Sequence, residues 1–329
     1  MALKDYVDGD DFDGVLLVQS LDRRRKADGG EFLRVTVGDR TGSVAAMVWD
    51  EVEEALAVLT AGEPVHVRGR YEEHARYGKQ IGRARFAAPR EGSFERGDLE
   101  VAPPRGAEQL ERELRELVAT VRDVHLAALL ERLLGPDTET WLRFREAPAA
   151  KHYHQAYRHG LLEHSLGVAQ AVGTVATTFP GIDRDVAVAG ALLHDIGKTH
   201  AYAMQSGAID FTEDGRMLGE IALGHHLVRS TIASIDGFPD ELSRGVCHIV
   251  LSHHGSLEHG SPVVPCTREA TLVHMMDNLG GRLGSFDRLE RQLSPGSSWS
   301  SYDNGIGASA HFGSRAAADG DPPAELAAA

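Results

Sequence analysis

The chain has 329 residues, 42% of them hydrophobic, two cysteines and a formal net charge of −15 at pH 7. Length and apolar content suit two domains with real cores. Two cysteines are too few for a disulfide framework, no run of 18 or more apolar residues signals a membrane span, and residues 1–6 lack an apolar signal-peptide core, so a cytoplasmic protein is expected. The acidic total argues at first against a nucleic-acid partner, but the charge is uneven. Residues 1–97 carry fifteen Lys+Arg against eighteen Asp+Glu, and residues 68–96 carry eight basic residues against four acidic ones. Arg23-Arg24-Arg25-Lys26 is a second basic knot. Local positive surface, not total charge, decides phosphate binding.

In chain order, residues 11–90 read as short strands. Residues 12–18 alternate weakly. Residues 32–37 form a strand ending at Gly38-Asp39-Arg40-Thr41-Gly42, and residues 44–49 are its hairpin partner. Residues 51–59 read as a short amphipathic helix and residues 64–71 as another strand. Tyr77-Gly78-Lys79-Gln80 turns into a last strand at 81–86. Three strands, a helix and two strands are the order of a five-stranded Greek-key barrel of the OB type. The domains expected are an OB-type nucleic-acid-binding domain at 1–95, a linker and helical connector at 96–147, an all-α metal-binding domain at 148–293, and a disordered Gly/Ser/Ala-rich tail at 294–329. Within the third, helices are expected at 160–178, 184–194, 219–235, 240–252 and 268–280.

That helical region carries the chemistry. His194-Asp195 directly follows an apolar helical run. Neighbours on a regular helix point about 100° apart, so both can face one ion only where the helix is ending, and Ile196-Gly197 supplies that ending. His164, Glu220, His225, His226, His253, His254 and Asp277 add further ligands of the same type. Imidazole with carboxylate suits Mn, Fe, Zn or Co. Any one of these histidines alone reads as a surface or core residue; the set does not. Asp195 is the natural bridging ligand for a second ion, since a carboxylate has two oxygens. His253 and His254 are candidates for that ion or for a phosphate. His254 reads equally as a hydrogen bond shaping the turn at Gly255. Lys198, one turn on, is either a phosphate-neutralising donor or a solvated cap lysine.

In order, His164, His194-Asp195, His253-His254 and Asp277 match the H…HD…D pattern of the HD-domain phosphohydrolases. With residues 160–165, Leu251-Ser252-His253-His254-Gly255, Gly260-Ser261-Pro262 and residues 274–279, and with the OB-like front end, the chain resembles the OB-fold/HD-domain 3′→5′ exoribonucleases of the YhaM type over residues 10–285. Two positions depart from the family's pattern. Glu220 stands where a His is usual, leaving Glu220 or His225/His226 as the replacement, and Gln155 and His159 differ from the usual residues. The resemblance implies a metal-dependent exoribonuclease that takes single-stranded RNA from its 3′ end, with Asp195, Lys198 and His253 catalytic. It implies one or two divalent ions, Mn first and Mg, Fe, Co or Zn as alternatives, and RNA rather than single-stranded DNA as polymer; a homo-oligomer stays open.

An OB barrel binds single strands by stacking bases on aromatics and tracking phosphates with cations. The candidates are Arg34, Trp49, Arg68, Arg70, Tyr77, Lys79 and Arg83, with Phe32 and Tyr71 beside them; Phe32 and Trp49 read equally well as core. Two rival readings stay open: an HD phosphohydrolase acting on small nucleotides, and a non-catalytic single-strand-binding protein with a degenerate metal site.

Overall fold

A computed structural model describes residues 2–26, 29–74, 78–100, 103, 105–151, 155–205, 208–293 and 296–313. Its first part is β1 (Asp11–Arg25), β2 (Glu31–Asp39), β3 (Gly42–Val48), α1 (Val52–Val58), β4 (Pro64–His74) and β5 (Gly78–Ala87). The strands close into a barrel in the order β1-β2-β3-β5-β4. All neighbours are antiparallel except β3 and β5, which run parallel at Ala45–Gln80 and Ala46–Ile81. This is the OB-type barrel expected from the strand order. Period-two alternation sends Leu33, Val35 and Val37 inward opposite Val48, Ala46 and Val44, while Arg34 and Thr36 stay on the other face. Asp39 closes the hairpin: its buried carboxylate accepts from the backbone N–H of Leu3 at 2.6 Å, Thr41 at 2.7 Å and Gly42 at 3.2 Å.

The expected linker contains a short helix, α2 (Arg96–Leu99), whose Leu99 is buried. Three helices follow: α3 (Ala107–Val118), α4 (Val124–Leu134) and α5 (Glu139–Glu146). They do not form a separate connector. Leu110, Leu114, Leu126, Leu130, Trp141 and Phe144 share one apolar core with α6 (Gly160–Val175) and α7 (Arg184–Leu193). Both of these are buried along most of their length, as a helix apolar all round must be.

After α7 the chain departs from the all-helical expectation. It forms α8 (Lys198–Ala201), a small hairpin of β6 (Tyr202–Gln205) and β7 (Ala208–Phe211), and α9 (Glu213–Met217). Then come α10 (Glu220–Ala233), α11 (Asp240–Ser252) and α12 (Arg268–Arg291), the last running eleven residues beyond its expected end. The expected disordered tail also needs correction. β8 (Trp299–Asp303) and β9 (Ala308–His311) pair as a hairpin on α12. It is held by a 2.7 Å ion pair from Arg288 Nη2 to Asp303 Oδ2 and by Ala310, which is buried. Residues 314–329 of that tail lie outside the described residues. Among the described residues, no helix is long and apolar enough to cross a membrane.

Candidate metal centre

Four elements deliver the site, and two do so with the same device. α7 and α11 pack so closely that a Cβ on Gly190 would lie 2.3 Å from Ile249 Cδ1. Their C-termini therefore end side by side. His194 caps α7 and His253 caps α11. Each donates Nδ1–H to the carbonyl three residues back, His194 to Ala191 at 2.7 Å and His253 to Val250 at 2.8 Å. That bond uses a helix-terminal carbonyl and turns Nε2 toward the site, the usual way a protein orients a ligand histidine. His254 follows suit, donating Nδ1–H to the His259 carbonyl at 2.9 Å; the turn-shaping bond and a free Nε2 coexist. Gly255 allows the turn, with φ of +83° and the His274 ring 2.1 Å from where a Cβ would stand.

Gly197 works otherwise than expected. Its φ is −65°, so it supplies no left-handed helix stop. A Cβ there would instead lie 1.9 Å from the Glu220 carbonyl oxygen and 2.5 Å from the Gly224 nitrogen. The glycine lets the start of α10 touch the His-Asp turn, and this brings Glu220 Oε1 within 3.8 Å of His254 Nε2.

The ligand atoms fall into two groups, His164 with His194 and Asp277, and Asp195 with His253 and His254, each mutually within 4.8 Å. In the first group His164 Nε2 lies 3.0 Å from Asp277 Oδ1 and 3.3 Å from His194 Nε2. Asp195 joins the two: its Oδ2 is 3.3 Å from His194 Nε2 and 3.5 Å from His164 Nε2, and its Oδ1 is 3.4 Å from His253 Nε2. Atoms bound ~2.1 Å from a common ion lie about 3.0–3.4 Å apart, so these spacings suit one. Asp195 Oδ1 and His253 Nε2 are buried without a hydrogen-bond partner, and buried polar atoms are rarely left so. The donor set of imidazoles and carboxylates thus fits divalent cations. His225 joins neither group: five residues past Glu220, α10 turns it about 140° away. His226 joins neither group either.

Burial would lower the His194 imidazole, yet the Asp195 and Asp277 carboxylates push it up to about 10. Burial would raise Asp195, but Lys198 and the histidines hold it well below the usual carboxylate range. Asp277 is held low likewise, by His164 and His194 against its burial. Burial would lower Lys198; Asp195 raises it instead, through a 2.7 Å bond from Lys198 Nζ to Oδ2. Lys198 is therefore a buried cation, not a solvated cap residue.

Lys198, Asp195, His254 and Asp277 open into a pocket of about 330 Å³ whose far wall is Asn278, Arg282 and the Asn304-Gly305 turn. A larger cleft of about 1010 Å³ lies between the barrel and the helical region, with Arg24 and Arg34 on one side and Lys151, Arg158, Arg288 and Arg291 on the other. Of the barrel candidates, Arg34 lines this cleft. Trp49 is 52% exposed, stacks on Phe32 at 4.8 Å and has Lys26 Nζ 5.9 Å from its ring centre, so it is a surface platform and not core. Arg68, Arg70, Lys79 and Arg83 lie elsewhere, on β4 and β5, and Arg68 is engaged by Asp13 at 3.0 Å. Tyr71 is buried in the barrel core. Tyr77 lies outside the described residues. The sequence reading missed Asn278, Arg282, Arg288 and Arg291. Only Arg288 carried a spacing signal, since the α12 positions 277, 281, 285 and 288 fall on one helical stripe; Arg282, Arg288 and Arg291 lie past residue 280, where the helix was expected to end.

Residues 161–281 match the HD domain family model. The chain is thus an OB-type barrel followed by a helical region that matches the HD domain, whose His/Asp groups could hold divalent metal. It is similar along most of its length to proteins named 3′-5′ exoribonuclease YhaM. The relative from Shouchella clausii is 28% identical, covering 88% of this chain and 89% of its own. That from Halalkalibacterium halodurans is 27% identical over 88% and 89%, and that from Listeria monocytogenes serotype 4b 27% over 89% and 92%.

Proposed function

We propose that this protein is a metal-dependent 3′→5′ exoribonuclease. One observation carries the reading: a single buried carboxylate, Asp195, lies between two ligand groups and leaves an unmet acceptor facing one of them. Two-ion centres of this kind cleave phosphodiesters, the ions generating the nucleophile and neutralising phosphoryl charge when bound. His164, His194, Asp195 and Asp277 would hold one ion. Asp195, His253 and His254 would hold the second, with Glu220 beside them, Mn²⁺ being the first choice of metal. Lys198 Nζ faces the pocket, where it would meet a phosphoryl oxygen. Water's oxygen joins phosphorus, the P–O3′ bond breaks, and the upstream 3′-oxygen leaves with a proton, releasing a nucleoside 5′-monophosphate.

The Trp49–Phe32 platform and the arginine-lined cleft would hold single-stranded RNA, with the barrel of residues 1–95 capturing it and residues 148–293 cleaving it. The cleft supports a polymer over a small nucleotide, which would need only the 330 Å³ pocket. The two unpaired cysteines agree with action in the cytoplasm. The test is incubation with 3′- and 5′-labelled single-stranded RNA and Mn²⁺, beside single-stranded DNA and a nucleotide panel. Metal-dependent shortening from the 3′ end is expected. Turnover confined to free nucleotides would replace this reading with the small-nucleotide one, and RNA binding without turnover would replace it with the non-catalytic one.

A further inference from the structure

The β8–β9 hairpin lies outside the matched HD region, yet its turn forms a wall of the metal pocket. We infer that the Asn304-Gly305 turn is a stop that turns this pocket into a one-nucleotide compartment, seating the terminal nucleoside of a strand and excluding a chain that continues. The inference rests on the exoribonuclease reading and adds the origin of its exo mode.

Three observations support it. The first is size. A volume of about 330 Å³ sits at the bottom of the ~300–1,000 Å³ range of small-ligand pockets. That is the scale of one nucleoside beside Lys198.

The second is that the wall is built and not incidental. Asp303 Oδ1 accepts from the backbone N–H of Gly305 at 2.9 Å and of Ile306 at 3.3 Å, which sets the turn. Asp303 Oδ2 takes Arg288 from α12 at 2.7 Å, and Arg282 Nη2 donates to the Ile306 carbonyl at 3.2 Å. Phe286 and Phe312 pack edge-on with ring centres 6.3 Å apart. Two arginines and an aromatic of α12 therefore clamp the hairpin to the helix that carries Asp277.

The third is chemistry. The lining offers side-chain amides at Asn278 and Asn304 and a guanidinium at Arg282. Amides donate and accept, as the vicinal hydroxyls of a terminal ribose require. Among the described residues the lining holds no Phe, Tyr or Trp.

The test uses linear and covalently circular single-stranded RNA with the metal-loaded full chain. Wild type should shorten the linear RNA and leave the circle intact. Replacing residues 299–311 by a Gly/Ser linker should open the pocket and raise cleavage of the circle at least tenfold above the wild-type background. Asn304→Trp, at an exposed turn position, should instead fill the compartment and lower kcat/KM on linear RNA at least tenfold, with metal content and Tm like wild type. If the linker variant binds metal and shortens linear RNA yet spares the circle, or if Asn304→Trp shortens RNA at the wild-type rate, the compartment is overturned while the exoribonuclease reading stands. A wild type that shortens no linear RNA would sink both.

Discussion

Gly197→Ala separates two physical effects of opposite sign. Gly197 has a φ of −65°, which any residue adopts. By backbone entropy alone, alanine there should stabilise the protein by about 0.4–1 kcal/mol. The contacts oppose this. The new methyl would stand 1.9 Å from the Glu220 carbonyl oxygen, and α10 would have to retreat by roughly 1.5 Å to restore ordinary contact. Neither partner can swing aside, because both Glu220 O and Gly224 N are backbone. Overpacking of this kind costs about 1–3 kcal/mol, so the contact should win by about 1–2 kcal/mol. For a domain of this size that lowers Tm by roughly 3–6 °C. The retreat also carries Glu220 away from His254, now 3.8 Å distant, so an ion held by Asp195, His253 and His254 should bind more weakly than in wild type. Differential scanning calorimetry and a calorimetric Mn²⁺ titration read both effects. A Gly197→Ala protein as stable as wild type, with two unaltered binding steps, would refute the close-packing argument.

Lys198→Ala should keep its metal, by mass spectrometry of the purified protein, and lose about 10²–10³ in kcat on RNA, the usual effect of removing one transition-state donor; metal loss instead would make Lys198 a structural partner of Asp195. Trp49→Ala should raise KM for single-stranded RNA about tenfold, within the ~1–3 kcal/mol of one stacked base, while barrel unfolding stays unchanged because the ring is half exposed. Burial pushes the Tyr71 phenol up to about 12. Its folded form favours the neutral phenol, so that contribution to stability is complete below pH 10 and is lost as pH rises toward 12. Tyr71→Phe should flatten the fall in Tm over that window relative to wild type; parallel curves would show that Tyr71 binds its proton equally in both states, against the effect of burial.

The strands of the barrel were legible because its face alternates: Leu33, Val35 and Val37 inside, Arg34 and Thr36 on the other face. The candidate ligand groups were legible because adjacent His-Asp and His-His pairs at the ends of apolar helices have few other uses. What stayed hidden depends on contacts between distant segments. Gly197 read as a helix stop, since its true partner, the Glu220 backbone, is set by tertiary packing. Trp49 read as core and surface alike, because alternation does not say where a strand ends. The terminal hairpin was invisible for a different reason. Its stability comes from an ion pair and carbonyl bonds to α12 and from Ala310, whereas a search for apolar periodicity sees only a polar tail.

The same helix explains why these pieces belong together. α12 places Asp277 in a candidate ligand group, Asn278 and Arg282 in the pocket, and Arg288 at the clamp on the hairpin. Arg288 and Arg291 then face the cleft toward the barrel. From Asp277 to Arg288 is eleven residues, about 16 Å at the helical rise of ~1.5 Å per residue. On the exoribonuclease reading, a strand lying along this face would meet arginines in the cleft and the candidate ligands at the far end, so one rigid element would set the distance between gripping the polymer and cutting it. A helix ending at residue 280 would leave the pocket without Arg282, the cleft without Arg288 and Arg291, and the hairpin without its anchor.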